Sequence, residues 1–173
     1  SYAFQVNQQT VEIEAKSKKI TEIIGQYSDD RALIYKALMG KFESRLSEWS
    51  ATIDKDTLTL RFNDPALLFK PGSSELTGRF KTILAQFWVD YTEILIQHSS
   101  SIREVKIEGH TSSEWANATV EESYFNNMEL SQERTRSTLY HCYQLTPDSL
   151  RKWVRSYVTA NGMSFSRIVT DEL

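Results

Sequence analysis

The chain has 173 residues, 20 Lys and Arg against 23 Asp and Glu, a net charge of −3 and a single cysteine. That length fits one domain with room for an appendage, and the interspersed charges, without a like-charged block, exclude nucleic acid as a partner. Lone Cys142 excludes a disulfide framework or a paired-cysteine metal site, and six glycines and three prolines, below the usual share of about 7% and 5%, exclude low-complexity chains and point to long helices.

Residues 1–24 are polar and rich in Gln, Lys and Glu. Tyr2, Phe4 and Val6 alternate, and Ile20, Ile23, Ile24 and Tyr27 then take helical spacing, which predicts a weakly packed lead-in that turns helical near its end. Ser28-Asp29-Asp30 is a helix-start signal. Leu33, Ile34, Ala37, Leu38, Phe42, Leu46 and Trp49 follow on one face, predicting a helix from about Asp30 to Trp49 that tolerates Gly40. Over 52–62 the period changes: Leu58, Leu60 and Phe62 alternate with Thr57, Thr59 and Arg61, as in a half-buried strand. Asn63-Asp64-Pro65 ends it, and Lys70-Pro71-Gly72-Ser73-Ser74 is turn chemistry.

The strongest helical pattern covers 75–98, where Leu76, Phe80, Ile83, Leu84, Phe87, Trp88, Tyr91, Ile94 and Leu95 recur every three or four residues. Ser73 or Ser74 is the expected cap, and the aromatic stripe reads as core rather than a cofactor box. Ile102, Val105 and Ile107 predict a second strand over 102–108, ending at Gly109-His110-Thr111. After a polar loop, 127–145 reads as a helix anchored by Leu130, Leu139, Cys142 and Tyr143. Pro147 is placed at the first position of a further helix closed by Asn161-Gly162, and Phe165, Ile168 and Val169 suggest a short third strand. Strands alternating with long helices give an α/β class, an α+β sandwich of helices on a small mixed sheet, with an N-terminal helical extension. The expected division is 1–49 for the extension and 50–173 for the domain.

Catalytic patterns are missing from the sequence. There is no GxSxG elbow, no glycine-rich phosphate loop and no HExxH pairing among His98, His110 and His141, so neither enzyme, metal site nor cofactor is expected. Cys142 lies between apolar helical neighbours, where a small buried thiol is the plain reading. Attention falls instead on the end of the second strand and the helix after it. Asn127, Leu130, Ser131 and Arg134 are spaced 3, 1 and 3 apart and share one helical face. An amide, a hydroxyl and a guanidinium would then project toward the strand-end loop, with Arg134 suited to holding a carboxylate through its planar fork. From spacing alone, a solvated helix face with an intrahelical ion pair to Glu129 or Glu133 is the commoner arrangement.

The entry LLFKPGSSEL, the long helix, the strand ending IEGHT, the NxxLSxxR opening Asn127-Met128-Glu129-Leu130-Ser131-Gln132-Glu133-Arg134 and the terminal ANGMSFSRI occur in this order over about 100 residues. From Leu68 to Ile168 the chain resembles the OmpA/MotB-like family of peptidoglycan-binding domains. Within it, the wording GHTSSEW and NMELSQERTR is similar to that of MotB-like subunits of non-flagellar channel complexes, of the anti-phage Zorya and secretion-linked kinds. The resemblance implies a βαβαβ core, with residues 1–49 as the linker and helices between it and the membrane, in the periplasmic part of a single-pass inner-membrane protein whose membrane span lies before Ser1. It implies a MotA-like channel subunit as partner, a homodimer, and binding of the diaminopimelate in a peptidoglycan stem peptide. Arg134 matches the family's carboxylate-binding Arg, and Asn127, Leu130 and Ser131 match their helix positions; Thr111 lies in the matching strand-end motif.

Three departures accompany the match. The Asp that meets an ammonium group in the family is Ser112 here, in a longer loop from which Glu114 could supply the carboxylate. The Tyr before the helix Asn is Asn126, with Tyr124 and Phe125 shifted. The family's closing Gly-rich turn, helix and strand do not follow before Leu173; either the chain is cut short or the sheet lacks that strand, which would leave a sheet edge open for pairing. A second function is therefore kept beside wall binding: a degenerate domain serving dimerisation or partner docking. His110 is held as a pH-sensing residue against the plainer reading of a strand-end hydrogen bond. An outer-membrane porin tail is a weaker alternative, because a helical segment precedes the domain in place of a Pro/Ala-rich linker. Buried, unpaired Cys142 is expected in the oxidising periplasm.

Overall fold

The computed structural model describes residues 1–8, 18–111 and 115–163. The chain runs β1 (Tyr2–Gln8), α1 (Lys18–Leu46), β2 (Ala51–Ile53), β3 (Thr59–Phe62), α2 (Gly78–Gln97), β4 (Ile102–Gly109), α3 (Val120–Leu145), α4 (Asp148–Tyr157) and β5 (Val158–Gly162). These form the expected α/β architecture, one mixed five-stranded sheet in the order β2-β3-β1-β4-β5 with four helices. β1 is antiparallel to both β3 and β4, and β4 is parallel to β5. The antiparallel β2–β3 pair closes through a short turn, whereas the parallel β4–β5 pair needs the long crossover that α3 and α4 supply.

The largest departure from the sequence reading is at the start. The weakly packed lead-in is the central strand. Tyr2 pairs with Phe62 on one side and with Gly109 on the other, and Phe4 with Leu60 and Ile107. Tyr2, Phe4 and Val6 are buried on one sheet face, joined by Leu60, Phe62, Val105 and Ile107 of the flanking strands. Ile34, Leu38 and Phe42 of α1 enter the same apolar cluster, so the core runs across the division drawn at residue 49. Gln5, Arg61, Lys106 and Glu108, of opposite parity, are half-buried on the other face.

The Phe4 ring sits 5.3 Å from Phe87, 5.8 Å from Trp88 and 6.0 Å from Tyr91, at tilted and edge-on angles. Such offset ring pairs add about 0.5–1.5 kcal/mol each beyond area burial. The α2 stripe is core, as the pattern predicts, with Phe80, Ile83, Leu84, Phe87, Trp88, Tyr91 and Leu95 buried. Its cap is Thr77, whose hydroxyl accepts from the Phe80 amide, rather than Ser73 or Ser74. The Trp88 indole donates to the Thr146 hydroxyl at 2.8 Å, which in turn donates to the Cys142 carbonyl at 2.7 Å.

Four element boundaries also differ. The strand expected over 52–62 is the hairpin β2–β3, because the Asp54 carboxylate accepts from the amides of Asp56 and Thr57, both at 2.8 Å, and Leu58 takes φ 56°. Those amides, Thr57 foremost, hold the Asp54 carboxyl below its usual range. α1 starts at Lys18 and runs through Ser28-Asp29-Asp30. α3 starts seven residues before Asn127, on a capping box in which Thr119 and Glu122 each bond the other's backbone amide. α4 ends at Tyr157, with Pro147 as its cap residue, and β5 takes Asn161 and Gly162. The strand expected at Phe165, Ile168 and Val169 lies outside the described residues.

Among the described residues no helix is long and apolar enough to cross a membrane. Cys142 is free and fully buried as expected, and burial pushes its thiol pKa well up.

Replacing Phe4 with Ala should lower unfolding free energy by about 3–5 kcal/mol in urea denaturation; a loose lead-in would give less than about 1 kcal/mol. Cys142 should ignore a water-soluble disulfide reagent at pH 8 in the folded protein and react fully in denaturant.

Candidate functional site

The site forms where the carboxyl end of β4 meets the second turn of α3. Gly109 closes the strand against β1 and α3 at once: a Cβ there would lie 2.5 Å from Tyr2 Cε1 and 2.9 Å from Thr135 Cγ2. Only glycine lets the Tyr2 ring occupy that slot. On α3, Thr135 and Thr138 return their hydroxyls to the carbonyls of Ser131 and Arg134, so their polar groups are satisfied inside the helix while their methyls pack. A second close approach sits on β5, where a Cβ on Gly162 would collide with the backbone nitrogen of Gln132.

The expected helix face exists, but it points inward. Asn127, Ser131 and Arg134 are buried and Leu130 is half-buried. Thr111, just past β4, donates its hydroxyl to the Asn127 carbonyl at 3.3 Å and so ties strand end to helix. Among the described residues the side-chain nitrogen of Asn127 is buried without a hydrogen-bond partner, an arrangement that normally calls for a water or ligand. The Ser131 hydroxyl donates to the Met128 carbonyl at 3.1 Å. His110 lies half-buried at the rim, its backbone amide on the Ser1 carbonyl. Ser112 and Glu114 lie outside the described residues.

Arg134 is the centre of the arrangement, and its partners correct the solvated-face reading. It is 8% exposed and does not pair with Glu129 or Glu133. Nε donates to the Ser73 carbonyl at 2.6 Å, Nη2 to the Lys70 carbonyl at 3.0 Å, and Nη1 to the Tyr2 phenol at 3.2 Å. Its Cζ lies 4.9 Å from the centre of the Phe69 ring. The two carbonyls belong to a tight turn, Lys70-Pro71-Gly72-Ser73, closed by Ser73 N–H on the Lys70 carbonyl. Pro at its second position and Gly72 at φ 66° fit a type II turn. Three of the five guanidinium N–H donors are thus engaged by described residues, which leave one on each Nη.

Tyr2, Phe69, Lys70 and Ser73 were not singled out as site residues. The Lys-Pro-Gly-Ser turn is visible in sequence, but nothing in it announces that its carbonyls face an arginine 61 to 64 residues away. Burial pushes the Tyr2 phenol pKa up, with the Arg134 charge pulling the other way, so Tyr2 keeps its proton across the physiological range. No group of three or more His, Cys, Asp or Glu among the described residues is arranged to hold a metal ion.

No protein-family model matches the chain. It is 40% identical over 162 residues to the Zorya protein ZorB of Escherichia coli, covering 92% of this chain and 69% of that one. In structure it aligns with a MotB-like protein from Desulfovibrio vulgaris at a TM-score of 0.57 and 21% identity, over 82% of this chain and 80% of that one. It also aligns with the OmpA-like domain of FopA1 from Francisella tularensis at a TM-score of 0.42 and 19% identity, over 61% and 58% of the two chains.

Arg134→Ala would strand two turn carbonyls and a phenol. It should lower unfolding free energy by about 3 kcal/mol in urea denaturation. Arg134→Lys should recover part of that loss, since an ammonium reaches one carbonyl but cannot span both.

Proposed function

The chain belongs to the family of the Zorya protein ZorB, and from that premise we propose that it is the periplasmic, peptidoglycan-binding part of a MotB-like subunit in an inner-membrane, proton-conducting complex of the anti-phage kind. The observation that carries this reading is the 40% identity across 92% of the chain. The fold shared with a MotB-like protein supports it. A MotA-like channel subunit is the proposed partner. A homodimer would use the first turns of α1, where Ile24 is 47% exposed.

The proposed ligand is the diaminopimelate of a stem peptide. Its carboxylate would take the N–H groups that Arg134 retains on Nη1 and Nη2, a charge-assisted pair in a site largely screened from water. The Thr111 hydroxyl and the Asn127 amide stand at the same end of the sheet. Ser131 and Leu130 shape the helix side of the site. Glu114 is proposed to supply the negative charge that Ser112 does not, and His110 to be the group through which pH would act. The chemistry throughout is binding.

One observation favours the second reading, a domain that keeps the fold but docks a partner or a second copy. Arg134 already satisfies three acceptors of its own chain, so its folding role stands without any ligand.

Co-sedimentation with purified diaminopimelate-type sacculi tests both. Wild type should be retained, and Arg134→Lys, which keeps the charge and more of the fold than Ala, should bind about tenfold more weakly. Equal retention of the two overturns the assigned clamp. Absence of wild-type retention, with a dimeric mass in solution that is lost on substituting Ile24 and Ile20 by Lys, favours the docking module.

A further inference from the structure

We infer that Tyr2 is a positioning residue of the site: its phenol oxygen, from the central strand, sets the direction in which Arg134 presents its remaining N–H groups. The inference rests on the wall-binding reading for its ligand, but the geometry behind it concerns the chain alone.

Two carbonyls on one turn, those of Lys70 and Ser73, hold Nη2 and Nε. They fix one edge of the guanidinium plane but leave its opposite end free to rock about that edge. Tyr2 Oη supplies the third point, 3.2 Å from Nη1, on a different element. Three acceptors from two elements define the plane, and Phe69 stacks its ring against the face with Cζ 4.9 Å from the ring centre.

Tyr2 is itself unable to drift. Its backbone pairs with Phe62 and Gly109 on either side. Its ring lies 4.9 Å from Phe69 and fills the space that the missing Cβ of Gly109 leaves. The residue is 1% exposed, so it touches no ligand and acts only through Arg134. A phenylalanine would fill the same slot equally well and pack against the same two neighbours. Tyrosine at this position therefore has a purpose that packing does not supply: the hydroxyl.

Tyr2→Phe separates the two roles. In the folded chain it should leave the thermal midpoint within about 2–3 °C of wild type, the scale of one modest hydrogen bond in a domain of this size. Binding to purified sacculi should weaken about two- to tenfold, whereas Phe69→Leu should lower the midpoint and the affinity together. Wild-type affinity in Tyr2→Phe, alongside a clear loss in Arg134→Lys, overturns the positioning role and leaves the wall-binding reading intact. If wild type itself binds no sacculi, the wall-binding reading fails, and the ligand-free protein decides the inference by NMR. The Arg134 Nη1–H resonances, whose acceptor is Tyr2 Oη, should be slow to exchange in wild type and severalfold faster in Tyr2→Phe. Equal exchange in both proteins overturns it.

Discussion

A guanidinium taken out of water keeps its charge, so each turn of chain around it must offer an acceptor or stay away. Arg134 imposes that demand on three separate parts of the molecule. The 70–73 turn must present two carbonyls in one direction, β1 must bring a phenol to within hydrogen-bond distance, and α3 must deliver the side chain from a buried face. None of these can shift alone without leaving either a charge or a carbonyl unpaired. The interaction therefore couples the first strand, the turn before α2 and the long helix α3, which are otherwise joined only by packing.

The close approaches on the two edge-most strands of this half of the sheet serve the same geometry. Gly109 permits the Tyr2 ring to pass over β4, and Gly162 permits β5 to lie against the backbone of α3 at Gln132, two residues before Arg134. Side chains at either position would push α3 outward and lengthen the Arg134 contacts. Beneath them the ring cluster of Phe4, Phe62, Phe87 and Tyr91 holds β1 to α2 by shape and dispersion, which do not specify direction closely. The polar contacts at the sheet end supply that direction. Core packing and site orientation are thus divided between the two ends of the same strand residues, Phe4 for one and Tyr2 for the other.

Much of this was legible in sequence. The α2 stripe, the β4 alternation and the buried Cys142 follow directly from apolar spacing, which reports burial wherever an element lies on one face of the core. The motif residues Asn127, Ser131 and Arg134 were also found, and on one face. What spacing could not report was which way that face turns, because amides, hydroxyls and guanidinium look solvent-facing until acceptors elsewhere in the chain are known. β1 was hidden for a related reason. Its Tyr2, Phe4 and Val6 alternate, but over too short a run and beside Gln and Asn, and its strand character comes from pairing with β3 and β4, 50 to 100 residues away. The β2–β3 hairpin was merged into one strand because Leu58 continues the alternation through a turn that Asp54 builds with its side chain.

The ordering of Arg134 bears on the proposed binding of a carboxylate. An arginine with all five of its donors solvent-exposed would lose much rotamer entropy on meeting a carboxylate. Arg134 has met that cost on folding, through Tyr2, Lys70 and Ser73, so a ligand meets a group already ordered. The same burial narrows what a ligand can reach to one N–H on each Nη. A carboxylate with two oxygens matches that pair, whereas a bulkier anion seeking the whole fork would have to open the 70–73 turn. On the proposed reading, pre-ordering would also offset the missing aspartate at Ser112: a site that gives up part of its electrostatic attraction for an ammonium can still hold the carboxylate end firmly if little entropy remains to be lost there. If the proposed ligand binds here, the strand that sequence patterning passed over, and not the motif helix alone, would decide how well the domain grips it.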